Sequence, residues 1–517
     1  MSDSINDMSQ WRRVSKIAVV YYMLQFVKHL VGQFIYLIPA FIALGNLFKN
    51  NPYLITPISL GIVSLIAVSG LLSYYFFRFR IVDGAIEIRS GIFVRKQLNL
   101  PYTRIQNVKF EQPLYYRITN HVVVELDTAG SSKSEAKLAA LFRPLAEALK
   151  HEVMMSKQST AETEPSEDSY GAESSNRQTL LGDEILVIDR SLSDLIIHGL
   201  TNNRVWIILG AAAPLFDEFA ENLGSIAQYI GFDGSQWFSL ESNGWFGVGL
   251  AIFTTFVFVM MLISLLSVLG SIVTYYDFRL TRQEDRYIRR SGLFTKREVV
   301  MPLRRLQMIS IRQDWLDRLL KRANVHYEQI GSQQHQNPNQ PQAQQKVMVP
   351  SVRFEEVNHL VHDSLSNPNL ESRTYQPIHR RFLVRMIAFI AAPVALIVAI
   401  IVGLNTESAV FSLLTFGGVI AVFSAIFYQR WKRWGIDLDE RYVAVRNGFF
   451  GVNQRLFERH KVQQVTLSQS VFMKRHNLYD LYVVLASGSV HIPCLNEEHA
   501  LLVRDACLLT VERDGKS

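Results

Sequence analysis

The stretch RSGIFVRKQLNLPYTRIQNVKFEQPLYYRITNHVVVEL, residues 89–126, decides the fold, because the chain writes it three times. Residues 290–329 read RSGLFTKREVVMPLRRLQMISIRQDWLDRLLKRANVHYEQ, and residues 446–485 read RNGFFGVNQRLFERHKVQQVTLSQSVFMKRHNLYDLYVVL. The registers coincide. Gly91, Gly292 and Gly448 each stand 13 residues before a cation, Arg104, Arg305 or Lys461. Glutamines follow two and eight residues later, as Gln106/Gln112, Gln307/Gln313 and Gln463/Gln469, and a second cation follows at 13, as Arg117, Arg318 and Lys474. Agreement at so many fixed offsets marks an internal repeat, which outranks local pattern as a guide to architecture.

Within each copy, alternation of apolar and polar residues predicts short antiparallel strands. Ile86 and Ile88, then Ser-Gly, then Phe93 read as a hairpin with glycine where φ > 0 is needed. Ile105, Val108 and Phe110 continue as a strand, and Val122, Val124 and Leu126 form another. An amphipathic helix is expected to close each copy, over 138–153, 354–365 and 497–511. Several strands and one closing helix in so few residues suit a small antiparallel β-barrel or orthogonal sandwich with a C-terminal helix.

Outward from the repeats, apolar runs come in pairs: 30–48 with 54–77, 205–216 (extended back through 195–200) with 245–276, and 382–404 with 409–428. About 20 apolar residues cross a bilayer core, and 245–276 carries no charge at all. Six transmembrane helices in three hairpins are expected. The links inside the hairpins are acidic or nearly uncharged. Arg12, Arg13, Lys16, Arg78, Arg80, Arg279, Arg282, Arg380, Arg381, Arg385, Arg430, Lys432 and Arg433 flank the other sides. By the positive-inside rule both termini and every soluble segment face the cytoplasm, and this topology also explains the net charge of +7.

The expected organisation is an N-terminal interfacial helix and hairpin one (1–77), β-rich domain one (78–155), a disordered acidic linker (156–181), hairpin two (182–276), domain two (277–368) with a Gln/Asn/Pro-rich loop (332–345), hairpin three (376–428) and domain three (429–517). The polar N-terminus lacks the small-residue cleavage site of a signal peptide. Cys494 and Cys507 fit neither a zinc knuckle nor a disulfide framework and read as packing residues in a reducing compartment. Pro39, Pro214 and Pro393 should kink the first helix of each hairpin.

Catalytic patterns are missing from the sequence: His359/His362 lack a third ligand, there is no HExxH or GxSxG, and Asp514–Ser517 only imitates the end of a phosphate loop. The chain reads as a non-enzyme with no cofactor, no catalytic residue and no metal site, and without nucleic acid as a partner. The candidate ligand- or partner-binding residues are Arg104, Gln106, Arg117, Arg305, Gln307, Arg318, Lys461, Gln463 and Lys474. Repeated cations near a membrane can grip anionic lipid phosphates or an acidic peptide; equally, they can pair with a neighbouring carboxylate, and the glutamines can serve turns and edges.

The pattern SG(I/L)F…P…RIQ…Q…L…R, carried by Ser90–Phe93, Pro101–Gln106, Gln112 and Arg117, and by Ser291–Phe294 with Pro302–Gln307, resembles the YdbS/YdbT-like family of bacterial pleckstrin-homology (PH) domain membrane proteins. Copy three departs from it, with Glu458 for the proline and Lys461 for the arginine. The resemblance implies two near-orthogonal sheets with a C-terminal helix, an inner-membrane location, and a shorter single-PH-domain relative as a partner. Two functions are expected from the whole: a scaffold whose three domains bind a partner protein, peptide or lipid, or transport or exclusion of amphipathic peptides or lipids through the six-helix bundle.

Overall fold

A computed structural model of the chain describes residues 10–32, 51, 53, 55–82, 84–91, 95–128, 136–161, 184–202, 240–330, 347–366, 368, 370, 373–406, 408–449 and 451–514. Copy one contains α1 (Ala18–Gly32), α2 (Ile55–Phe76), β1 (Arg78–Val82), β2 (Ala85–Ser90), β3 (Lys96–Pro101), β4 (Ile105–Pro113), α3 (Leu114–Arg117), β5 (His121–Thr128), β6 (Ala136–Phe142) and α4 (Arg143–Ala161). Copy two contains β7 (Ile185–Asp189), α5 (Leu192–Thr201), α6 (Leu240–Tyr275), β8 (Arg279–Gln283), β9 (Arg286–Ser291), β10 (Thr295–Pro302), β11 (Leu306–Gln313), α7 (Trp315–Leu319), β12 (Arg322–Gln329), β13 (Val347–Arg353) and α8 (Phe354–Ser364). Copy three contains β14 (Gln376–Pro377), α9 (Arg381–Met386), α10 (Ala392–Thr406), α11 (Ala409–Arg433), β15 (Gly435–Leu438), β16 (Tyr442–Asn447), β17 (Val452–Glu458), β18 (Val462–Ser468), α12 (Val471–Lys474), β19 (Leu478–Leu485), β20 (Gly488–Asn496) and α13 (Glu497–Asp514).

The strands do not stay within their copies. The sheets run β1-β2-β3, then β6-β5-β4-β10-β9-β8-β7, then β13-β12-β11-β17-β16-β15-β14, then β18-β19-β20. Each seven-stranded sheet therefore joins the second half of one copy to the first half of the next. The two junctions use one register: Lys296 lies opposite Gln112 and Arg297 opposite Glu111, while the equivalent Val452 lies opposite Gln313 and Asn453 opposite Arg312. Periodicity predicts three self-contained barrels. The difference arises because alternation tells which face a residue takes, never which strand lies alongside.

Two compact units follow from this sharing, and they divide copy two: one unit is Met1–Leu186 with Leu280–Arg305 and Ile330–Lys346, the other Val187–Arg279 with Leu306–Gln329 and Val347–Ser517. The first unit's core is the predicted alternating set, with Ile86, Ile105, Val124, Leu126, Leu138 and Leu149 almost fully buried; each contributes about 1.5–3 kcal/mol. In the second unit Trp434, Val445, Phe457, Leu481, Ile492 and Val503 do the same for copy three. Cys494 and Cys507 are free and buried there, and burial pushes both thiols up to about 11. They are packing residues, as expected.

Among the described residues, four helices are long and apolar enough to cross a membrane: Thr56–Phe76, Phe253–Tyr275, Arg381–Asn405 and Ala409–Arg433. Most of the expected spans 30–48 and 205–216 lies outside the described residues, as do Pro39, Pro214, the loop 332–345 and most of the linker 156–181. Helix α1 covers Ala18–Gly32, ahead of most of the expected span 30–48, and lies against α2, where a Cβ on Gly70 would sit 2.4 Å from Met23 Cγ. Gly244, at φ 62°, breaks the start of α6 beside the predicted boundary at Trp245. Pro393 behaves as its chemistry requires. It has no N–H for the carbonyl four residues back, and the helix widens into a π turn over Ile387–Ala391.

The closing helices of copies two and three match expectation. Copy one needs a correction: residues 138–142 belong to strand β6, and the helix starts at Arg143. The segment AKLAALF lacks a two-residue period because it carries a bulge and is buried on both faces. The helix also continues to Ala161, into the stretch expected to be linker.

Candidate functional site

The first cation of each copy closes a one-turn 3-10 helix, Tyr102–Arg104, Leu303–Arg305 or Arg459–Lys461. Each turn is pinned at its first residue by an equivalent backbone bond: Tyr102 to the Gly84 carbonyl (2.8 Å), Leu303 to Asp285 (2.9 Å) and Arg459 to Arg441 (3.1 Å). The sequence offset is thus a fixed position in space relative to each turn. The electrostatics differ between copies. Arg104 is exposed and Arg305 half-buried, whereas Lys461 meets Glu458 at 2.5 Å. Glu458, the residue in place of proline, also takes Arg441 at 3.2 Å. Burial raises its pKa, but the hydrogen bond and charge of Lys461 outweigh this and hold the carboxyl below its usual range.

The first glutamines, Gln106, Gln307 and Gln463, lie where strands β4, β11 and β18 shift register against their neighbours. Gln307 is buried, Gln463 exposed, and the side chain of Gln106 lies outside the described residues. The second glutamines make one bond three times: Gln112 Nε2 donates to the His121 carbonyl (3.2 Å), Gln313 to Arg322 (2.9 Å) and Gln469 to Leu478 (3.2 Å). This ties the strand to the turn after the short helix, where Asn120, Lys321 and Asn477 take φ of 52°, 51° and 50°. We expect Gln313→Ala to cost about 1 kcal/mol, measured by denaturant unfolding of the purified chain, and equivalent losses at Gln112 and Gln469. Unchanged stability would show that the glutamine is free for a ligand.

The second cations, Arg117, Arg318 and Lys474, end the short helices α3, α7 and α12 or fall in their last turn. A strand of seven to nine residues separates them from the first cations, roughly 25 Å at the usual rise. The nine candidates therefore form two stations at opposite ends of one strand in each copy, not one pocket. Arg117 donates to the carbonyl of Leu293, in the glycine turn of the next copy. At the following junction the equivalent acceptor, Phe449, is taken by Arg433, which also reaches Gly451 at 3.1 Å. Arg318 and Lys474 stay exposed. Across the first junction Arg297 pairs with Glu111 at 3.1 Å and Lys150 with Glu298 at 2.6 Å. Burial raises the Glu298 pKa, yet Lys150 and Arg290 bring it below the ordinary carboxylate value.

A third repeated feature escapes sequence reasoning. The last strand of each copy carries a left-handed residue, Ala140 (φ 52°), Ser351 (φ 46°) or Cys494 (φ 50°), beside a register shift against the preceding strand. Such residues cost on the order of 1–3 kcal/mol each. In copies two and three the bulge turns a carbonyl towards the segment that leads into the hairpin. Ser351 accepts from Arg190 Nη1 (3.2 Å) and Arg322 Nη1 (3.1 Å), and Cys494 accepts from the His379 N–H (3.0 Å). Arg190, just before the capping box of Ser191 and Asp194, is the only sequence hint of this latch.

Three copies of an antiparallel strand set with a closing helix, each preceded by at least one long apolar helix, fit one known domain type. The sequence profile of the bacterial PH domain matches residues 33–156, 237–364 and 382–509. The chain belongs to the bacterial PH domain family. It is similar to the UPF0699 transmembrane protein YdbT of Bacillus subtilis (strain 168), at 22% identity over 492 residues, covering 93% of this chain and 94% of YdbT. It is also similar to the UPF0699 transmembrane protein YdbS of the same organism, at 30% identity over 90 residues, covering 17% of this chain and 56% of YdbS. This bacterial PH protein is a transmembrane protein with three repeated domains. Each family match spans a long apolar helix as well as strands, so helix and PH strands recur together.

Proposed function

We propose that the chain is a non-enzymatic, multi-pass protein of the bacterial inner membrane, with both termini in the cytoplasm, whose PH copies form a scaffold for a partner protein or peptide. The observation that supports this most is the register shared by the two junctions, by which each sheet joins neighbouring copies in the same way. Several weak contacts on such an array add by effective concentration. The exposed stations are Arg104, Arg318 and Lys474, with Gln463 beside the neutralised Lys461. Leu114, Trp315, Val471 and Phe472 stand exposed on the short helices next to the second cations, which suits a binding surface combining apolar and basic groups.

Transport through the helices is the less favoured reading. Contacts between the described helices include Ser267 Oγ donating to the Gly199 carbonyl (2.6 Å) and Ser412 Oγ to the Ala399 carbonyl (2.7 Å), which pack the helices closely. The test is chemical cross-linking capture in native membranes with the full chain and with Arg104→Glu/Arg318→Glu/Lys474→Glu. A specific protein recovered with the parent and reduced at least about tenfold with the variant, equivalent to about 1.4 kcal/mol, is expected. Identical recovery from both would overturn the scaffold stations.

A further inference from the structure

We propose that the chain assembles head to tail with a second copy of itself, by adding strand β3 of one molecule to strand β18 of the other. Every junction inside the chain pairs the fourth strand of one copy with the third strand of the next: β4 with β10, and β11 with β17. Among the described residues, the same two strand types stand unpaired on one edge at the ends. The sheet β1-β2-β3 ends on β3, and the sheet β18-β19-β20 ends on β18. The two bare edges are thus the two halves of an interface the chain already makes twice.

Their chemistry suits the pairing. A free edge strand is a template for another strand unless it is blunted by charge, proline or a cover. Strand β18, Val462–Ser468, contains no charge and no proline, and Gln463, Gln464, Thr466 and Ser468 are exposed. Its register shift against β19 has counterparts in β4 and β11, both of which pair on their outer edge. On β3, Lys96, Gln97 and Asn99 are exposed, and the only proline closes the strand at Pro101. In the shared register Lys96 falls opposite Ser468, Gln97 opposite Leu467, Leu98 opposite Thr466 and Asn99 opposite Val465. No like charges meet. Because a different surface meets on each molecule, the contact is heterologous and builds rings or rows in the membrane plane. It does not depend on the partner proposed above.

The test uses full-length chains carrying two different tags, co-expressed in native membranes, one with Lys96→Cys and the other with Ser468→Cys. A short thiol cross-linker should give dimers containing both tags. A one-residue slip turns the side chain to the other face, so Lys96→Cys with Leu467→Cys should yield at least about fivefold less dimer. Arg297→Cys with Glu111→Cys in a single chain occupies the equivalent pair at the first junction and serves as the positive control. If that control links while Lys96→Cys and Ser468→Cys give no mixed-tag dimer, or no more than the slipped pair, the assembly is overturned. It is equally overturned if Ser468→Cys links only to a different protein, which would assign the edge to another partner.

Discussion

Replacing Arg190 by alanine is expected to lower the stability of the second unit by about 3 kcal/mol. The Arg190 side chain is 2% exposed and holds Glu356 at 2.9 Å, with Asp194 at 4.0 Å. It also donates to the carbonyl of the strained Ser351. Removing it opens a cavity and strips Glu356 of its guanidinium, while Arg322 keeps its bonds to the Ser351 carbonyl (3.1 Å) and to Asp194 (2.8 Å). The carboxylate of Glu356 is itself 36% exposed, which holds the effect to the lower end of the range for a buried pair. Denaturant unfolding of the detergent-solubilised chain measures the loss. Arg279→Ala provides the contrast, since its pair with Asp277 lies in solvent and exposed pairs contribute about 0–1 kcal/mol. Equal effects from the two substitutions would refute the latch.

Gly199→Leu should disrupt the second hairpin to a similar degree, by about 3 kcal/mol. A Cβ at Gly199 would lie 2.4 Å from Val268 Cα and 2.9 Å from Val268 N. Both are backbone atoms, so no rotamer change relieves the clash and the helices must part. Parting them also breaks the bonds from Ser267 Oγ to Gly199 and from Ser271 Oγ to Leu195 (2.8 Å). In lipid, helices associate through close packing and such hydrogen bonds more than through apolar burial. Val268→Ala should not rescue the variant, because the obstructing atoms remain. Gly270→Leu, where a Cβ meets nothing within 4 Å, should be nearly neutral. Resistance to unfolding in a denaturing detergent titration reads all three; rescue by Val268→Ala would sink the interpretation.

The features legible in the sequence are those set by near neighbours. Gly91 and Gly292 take φ of 107° and 121°, as a glycine turn between alternating strands demands, and at Gly292 a Cβ would collide with the Thr295 carbonyl at 2.0 Å. The alternating residues Ile86, Ile88, Val122, Val124 and Leu126 are buried where their period puts them. Less was legible wherever a contact leaps across a hairpin. Nothing in β4 announces that Glu111 will face Arg297, since both residues look equally suited to solvent. The candidate cations show the same limit: spacing shows that Arg104 and Arg117 recur, but only the fold reveals that a whole strand separates them and that Arg117 clasps the next copy's turn. Gln112, Gln313 and Gln469 were visible as a pattern, and their common carbonyl bond identifies its cause.

Sharing sheets between copies also fixes an order of events during synthesis. Strand β4 ends at Pro113, while the partner for its outer edge, β10, begins at Thr295. At about 5–20 residues per second on the ribosome, that edge waits on the order of 10–35 s for its mate. Throughout that interval β3 is paired only with β2 and β4 only with β5, so each leaves one edge open. A polypeptide released after the first copy would keep that condition permanently. Two open strand edges on one fragment are templates for pairing with further fragments, so truncation after the first copy favours association over a smaller independent domain.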